Sequence, residues 1–189
     1  KVYLTFKKQL YSQIKNEKFC IGVSGGPDSL ALAFLCKIFS KEFNSKFIAL
    51  IIDHNLRKQS ATEAQKVKII LTKHKIRAKI LTWKGKIPKS NIQFNARNIR
   101  YFLLKKECNK LNIKNLVLAH HEGDLIENFF IRLFRGSGLK GLSSLNIKRH
   151  SEDNILNLIR PLINIKKNEL IYISKKIFKF YFTDPSNFN

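Results

Sequence analysis

Phe19-Cys20-Ile21-Gly22-Val23 runs directly into Ser24-Gly25-Gly26-Pro27-Asp28-Ser29, and that loop runs directly into Leu30-Ala31-Leu32-Ala33-Phe34-Leu35. The order reads as a buried strand, a glycine turn and an apolar helix. Few folds accept that join. A helix entered this way leaves its first N–H groups unpaired, with the positive end of its dipole aimed at the loop. Gly25 and Gly26 remove the Cβ atoms that would keep an anion away, and Pro27 suits a first helical position because it has no N–H to lose. Asp28 adds a carboxylate suited to a metal ion, and Ser29 a hydroxyl suited to a phosphate oxygen.

Two common phosphate motifs do not fit. The Walker pattern requires a Lys after its last glycine, and the dinucleotide fingerprint requires G-x-G-x-x-G; neither occurs here. A Gly-Ser turn with no ligand is the plain alternative on this segment alone.

The rest of the chain repeats the strand-then-helix rhythm. Val2 to Ile14 carries apolar residues at helical spacing within Lys1–Asn16. Phe47–Ile52 is a continuous apolar run of the kind found in parallel sheets covered on both faces. It ends in Asp53-His54-Asn55-Leu56-Arg57, at the strand end where α/β folds gather ligand groups. Ser60-Ala61-Thr62-Glu63 and Ser90-Asn91-Ile92-Gln93 have the form of capping boxes and open helices to about Lys75 and Leu111. Ala78–Trp83 and Leu116–Ala119 are strands, and His120-His121 leads into a helix from about Glu122 to Phe134. Four parallel strands with helical crossovers predict a Rossmann-like, doubly wound α/β sheet with helices on both faces. Arg135–Leu142 reads as a basic glycine-rich loop, Ile155–Leu162 as a short strand, Ile165–Ile177 as a helix and Phe178–Phe182 as a final edge strand.

With 189 residues and 44% hydrophobic content, one sizeable domain is expected, residues from about 143 onward completing it. Lys and Arg total 36 against 13 Asp and Glu, a net charge of +23. That excess favours a polyanionic partner, most simply nucleic acid. A drift of base composition towards Lys, Asn, Ile and Phe codons is the plain alternative. Cys20, Cys36 and Cys108 are too scattered for a zinc site and read as small core residues in a reducing, cytoplasmic setting. No stretch reads as a secretory signal or membrane span, so no membrane partner is expected.

Ser24-Gly25-Gly26-Pro27-Asp28-Ser29 resembles the Ser-Gly-Gly-x-Asp-Ser loop of the ATP pyrophosphatase (PP-loop, adenine nucleotide alpha hydrolase-like) families, which split ATP between its α- and β-phosphates. Further segments, taken in order, narrow the likeness. Asp53–Arg57, Asn91–Tyr101, Ala119–Asn128, Arg132–Leu142, Arg160-Pro161-Leu162 and Asp184–Asn187 are together similar to the catalytic domain of the tRNA(Ile)-lysidine synthase family. The resemblance implies ATP and Mg2+ as cofactors. It implies free L-lysine and a tRNA(Ile) with a CAU anticodon as substrates, with lysidine, AMP and pyrophosphate as products.

On that resemblance, Ser24, Gly25, Gly26, Pro27, Asp28 and Ser29 hold the pyrophosphate, Asp28 also standing near magnesium, with Asp53 and His54 as further nucleotide contacts. Arg100, His120, Asp124 and Glu127 join Asp28 as catalytic residues. Asp124 and Glu127, three apart on one helical face, are the expected seat of the lysine ammonium, Arg100 lying nearby. A solvated, dipole-favoured first turn is the plain reading of the two carboxylates. Arg97, Arg132, Arg135 and Lys140 are expected to meet tRNA phosphates; as solvated charges they need no role. His121 reads as structural. The family usually has Asp-Asp-Gln where Gly123-Asp124-Leu125 stands here, and Thr where Asn128 stands. The C-terminal tRNA-binding domains of longer members are not expected within these residues, and a homodimer stays open. Another tRNA-modifying enzyme of the same fold, or an RNA-binding module without activity, are the competing functions.

Overall fold

The computed structural model describes residues 1–55, 59–85, 90–134, 148–150 and 156–182. Among them, α1 (Val2–Ile14) precedes β1 (Phe19–Val23), α2 (Pro27–Glu42), β2 (Phe47–Asp53), α3 (Ser60–Lys73) and β3 (Ala78–Thr82). Then come α4 (Ile92–Lys110), β4 (Asn115–Val117), α5 (Glu122–Phe134), β5 (Lys148–His150), β6 (Asn157–Ile159) and α6 (Lys167–Phe178). The strands form one sheet in the order β3-β2-β1-β4-β6-β5. Five of them are parallel, and β5 runs antiparallel against β6.

Two-residue alternation explains why the central strands carry no polar face. Phe19, Ile21 and Val23 of β1, with Ala49 and Ile51 of β2, point into one core with Phe6, Leu10, Leu30, Leu32, Phe39 and Leu170. Cys20, Ile48 and Leu50 point the other way, onto Leu104, Cys108, Leu116 and Leu158. Helices therefore cover both faces, which is the doubly wound architecture expected. All three thiols are buried and unbridged, as a core role requires.

The sheet reverses its winding between β1 and β4. From β1 the chain crosses towards β2 and β3, and after β4 it winds towards β6, so the loops leaving β1 and β4 part at their carboxyl ends. Such a switch point opens a crevice for ligands.

Several local expectations are corrected. α3 starts at Ser60 behind Gln59, and α4 behind a left-handed Asn91, neither with a side-chain cap. Ser60 and Glu63 face the crevice described below, so their spacing marks a helix start that serves as a wall. Phe178 is the last residue of α6, and Lys179 turns left-handed at φ 55°, which ends any regular run. Residues 179–182 form no strand and cross above the glycine loop, where the Phe182 N–H donates to the Gly25 carbonyl at 3.0 Å. The edge beyond β6 is β5 instead.

Candidate functional site

At the end of β1 the chain turns at Gly25, whose φ of +88° is open to glycine at little cost. A Cβ there would meet Val67 Cγ2 at 2.5 Å and Phe182 Cδ2 at 3.0 Å, so space and backbone both demand glycine. The Ser24 and Gly25 N–H groups each donate to Ser29 Oγ at 3.2 Å, and that hydroxyl donates to the Gly26 carbonyl at 2.9 Å. Two amides thus converge on one oxygen at the entrance of α2. A phosphoryl oxygen offers the same two amides a charged acceptor in place of a neutral hydroxyl, and charge-assisted bonds are roughly twice as strong.

The loop forms one wall of a cavity of about 420 Å³. Ser24, Gly26, Asp28 and Ser29 line it from β1 and α2, and His54 from the end of β2. Ser60 and Glu63 line it from α3, and Arg97, Arg100 and Tyr101 from α4. His120 and Asp124 complete it from the β4–α5 junction. One pocket therefore gathers a phosphate-type loop, two arginines, two histidines and first-turn carboxylates of α2, α3 and α5.

Asp28 stands in the first turn of α2. Its Oδ2 lies 3.5 Å from His121 Nε2, while its Oδ1 is buried without a hydrogen-bond partner. A buried carboxylate oxygen with no donor is costly unless a ligand or ion completes it. Magnesium typically takes one or two protein carboxylates and shares the rest of its shell with phosphate oxygens and water. Asp28 beside the glycine loop suits that arrangement. Among the described residues no group of three or more His, Cys, Asp or Glu could hold a metal unaided.

His120 follows the end of β4, and its Nδ1 accepts a hydrogen bond from Arg160 Nε at 3.2 Å. Burial first, and then the Arg160 cation, push its pKa down to about 4. With Nδ1 accepting, the proton of the neutral ring sits on Nε2, which makes the ring a hydrogen-bond donor. His54 is held down to about 4 by burial and by Arg100, opposed by Asp53, and its Nδ1 is buried without a partner. His121 is different. Burial lowers its pKa, but Asp28 and Asp124 outweigh that and raise it.

A pH prediction follows for His120. The unfolded ring binds its proton near pH 6.5 and the folded ring only near 4, so the unfolded state carries more protons between those values. Stability rises with pH across that window and is lost as pH falls from 6.5 to 4, by up to about 3 kcal/mol for this group. Arg160→Leu should move the His120 titration upward, read by NMR of the imidazole, and should shrink this acid loss. An unmoved titration would remove Arg160 as its cause.

The expected site residues divide between the cavity lining and its surroundings. Asp53 is buried, its Oδ1 accepting the Asn55 N–H at 2.9 Å, and it shapes the end of β2 without lining the cavity. Gly25 and Pro27 support the loop from behind the lining. Asp124 lines the cavity and also accepts the His121 N–H at 2.7 Å, so the capping and the functional readings both apply. Glu127 is exposed and stands off the lining, one turn further along α5. Arg97 lines the cavity with its guanidinium over the Tyr101 ring at 5.5 Å, so it serves the pocket as much as an outer surface. The side chain of Arg132, and Arg135, Lys140 and Asp184–Asn187, lie outside the described residues.

From the sequence Ser60 and Glu63 read only as capping residues of a helix, and Tyr101 and Arg160 had no individual role. Arg160 was within reach, because a charged residue at the end of an apolar strand and before Pro161 invites a partner.

The profile of the PP-loop domain family matches residues 3–189. The chain is 44% identical over 174 residues to a tRNA(Ile)-lysidine synthase of Orientia tsutsugamushi, covering 92% of this chain and 38% of that protein. It is 42% identical over 171 residues to the tRNA(Ile)-lysidine synthase of Rickettsia bellii, covering 90% of this chain and 39% of the relative. The chain thus spans about two fifths of the length of these curated relatives. Among solved structures, the U34-tRNA thiolase NcsA of Methanococcus maripaludis superposes with a TM-score of 0.78 at 20% identity, covering 97% of this chain and 67% of that one. An FMN adenylyltransferase of Candida glabrata superposes at 0.59 and 12%, covering 91% of this chain and 55% of that one. Those two likenesses speak to the fold. With the profile running from residue 3 to the last residue and the glycine loop at the switch point of the sheet, the chain belongs to the PP-loop domain family of ATP-binding domains.

Proposed function

We propose that this domain is the catalytic part of a tRNA(Ile)-lysidine synthase. It adenylates the wobble cytidine of a CAU anticodon with ATP and then joins free lysine to it. The observation that carries this reading is the single cavity in which the phosphate loop faces Asp124, Arg97 and Arg100. Two polar substrates of opposite charge can meet there. Identities of 42–44% to proteins of that name support the choice of chemistry.

In the first step the cytidine O2 attacks the α-phosphorus, and the bond to the pyrophosphate oxygen breaks. The loop amides and the start of α2 receive the diphosphate, where their dipoles are already oriented and need no reorganisation. Arg97 and Arg100 supply positive charge across the cavity. His120, held by Arg160, donates from Nε2 to an oxygen on which charge develops. The Asp28 carboxylate would hold magnesium, whose chemistry is to neutralise charge on the phosphate oxygens. In the second step the lysine Nζ attacks C2 of the ring, AMP leaves with the former O2, and the amine gives up protons. Asp124 is the cavity carboxylate suited to orient that ammonium and accept a proton, with the exposed Glu127 three residues further along the same helix adding negative charge that favours the approach of lysine.

The net charge of +23 suits tRNA as the partner, acting through its phosphates. Among the described residues no helix is long and apolar enough to cross a membrane. A cytoplasmic setting fits a tRNA substrate. The test uses purified protein, ATP, Mg2+, labelled lysine and tRNA(Ile). Label should enter tRNA with release of pyrophosphate. Pyrophosphate release without lysine transfer would point to another modification of the same fold, and tRNA binding with neither product to a binding module. Within this reading, Glu127→Ala should raise the lysine KM about tenfold with the ATP KM little changed, measured by initial rates. An unchanged lysine KM would remove Glu127 from the site.

A further inference from the structure

His121 is buried at the N-terminus of α5, immediately behind the cavity wall. Its ring is fixed from two sides. The Gly123 N–H donates to Nδ1 at 2.9 Å, so Nδ1 is an acceptor and the ring proton sits on Nε2. That Nε2 lies 3.5 Å from Asp28 Oδ2 and 3.7 Å from Asp124 Oδ2. One N–H thus stands between a carboxylate of the phosphate-loop helix and a carboxylate of the first turn of α5. The backbone repeats the link, since the His121 N–H donates to the same Asp124 oxygen at 2.7 Å.

Gly123 makes the room. A Cβ at that position would lie 2.8 Å from His121 Cε1 and 3.1 Å from Nδ1, closer than the ring tolerates. Any side chain at 123 must push the imidazole away from its seat. The glycine that looks like a lost carboxylate is, in three dimensions, the condition for this histidine to reach Asp28.

We propose that His121 is a positioning residue that holds Asp28 and Asp124 together from behind the cavity wall, fixing the Asp28 carboxylate for a divalent cation shared with the nucleotide phosphates, and that Gly123 permits this by leaving the ring its space. This deepens the lysidine synthase reading and rests on it for the role of Asp124. The part concerning Asp28 stands on geometry alone. With Oδ2 beside the histidine and Oδ1 buried and unpartnered, the carboxylate keeps a fixed orientation and unspent acceptor capacity at the edge of the cavity. Partners that orient a metal-binding side chain commonly change metal affinity about 10- to 100-fold when removed.

The experiment measures binding of a non-hydrolysable ATP analogue by calorimetry, with and without Mg2+, in the wild-type domain and in His121→Ala, His121→Gln, Gly123→Ala and His121→Ala/Gly123→Ala. His121→Ala should weaken the Mg2+-dependent gain in nucleotide affinity at least about tenfold and leave the metal-free affinity within about twofold. His121→Gln, whose amide N–H reaches about as far as Nε2, should recover most of the gain. Gly123→Ala should lose part of the gain alone and add nothing in the His121→Ala background, because it acts only through the ring. Equal Mg2+ gains in wild type and His121→Ala, or additive losses in the double variant, would overturn the proposal. Thermal melts accompany each protein. If His121→Ala does not fold, Gly123→Ala and His121→Gln decide the matter: an undiminished Mg2+ gain in Gly123→Ala overturns it. This titration needs neither lysine nor tRNA. Wild-type protein that shows the Mg2+ gain yet transfers no lysine would sink the functional reading and leave the histidine bridge standing.

Discussion

Asp28→Ala is expected to abolish lysine transfer and pyrophosphate release together, with a loss of at least about 10³-fold in kcat/KM, or roughly 4 kcal/mol of transition-state stabilisation. The expectation rests on position. Asp28 lies in the first turn of α2, next to the amides of Ser24 and Gly25 that converge on Ser29 Oγ. Its Oδ1 is buried with nothing to bind, and Oδ2 faces His121. Removing the side chain removes the carboxylate of the loop and leaves the His121 N–H with Asp124 alone. Asp28→Asn separates shape from charge. It keeps an oxygen for His121 but forfeits the negative charge, so it should be nearly as inactive as alanine while melting at close to the wild-type temperature. Turnover near wild type in either variant would refute the assignment of Asp28 to the cation.

Gly25→Val should damage both the fold and the site. Left-handed backbone costs a non-glycine residue about 1–2 kcal/mol, and more when the side chain is β-branched. The new Cβ would stand 2.5 Å from Val67 Cγ2 and 3.0 Å from Phe182 Cδ2, an overpacking cost of about 1–3 kcal/mol. Together about 3–4 kcal/mol corresponds to a fall in Tm of roughly 10 °C for a chain of this size. ATP binding should vanish before stability does, because relieving the clash moves the Gly25 N–H away from the point where it meets the Ser24 N–H. Circular dichroism melts and analogue titrations read the two effects separately. Phe182→Ala in the Gly25→Val background should restore part of the Tm and none of the ATP binding, since the backbone strain stays. A Gly25→Val protein with normal melting would show that the turn is not as rigid as its surroundings require.

Local chemistry made much of this molecule readable in one dimension. Phe19–Val23 and Phe47–Asp53 are nearly unbroken apolar runs, and such runs of that length, set between helical stretches, have few homes except a covered parallel sheet. Ser24–Ser29 announces its own geometry, because two glycines admit a left-handed turn and a proline fixes φ for a helix start within six residues. His120 and Asp124, at the end of β4 and the start of α5, and Arg100, midway along α4, were named from the motifs that hold them, and all three line the cavity. The terminal segment was not: Phe178–Phe182 has the aromatic content of a strand, yet Lys179 caps α6 and the chain passes over Gly25. Aromatic content speaks for burial, and burial alone does not choose between an edge strand and a strap.

Order along the chain was enough to specify the four leading parallel strands, the glycine loop and the strand ends at which ligand groups would gather, because each depends on neighbouring residues. Which side chains share the cavity was left to packing. Ser60 and Glu63 turned from caps into walls, Asp53 turned inward, and Arg160, 40 residues from His120, came to add to the burial that keeps that ring neutral. Packing also gave Gly123 its meaning, since nothing in a Gly-Asp pair shows that a neighbouring imidazole occupies the space a Cβ would take. Distance through space, burial and the loss of water arise only when remote segments meet, and they fix what a titratable side chain does once the backbone has placed it.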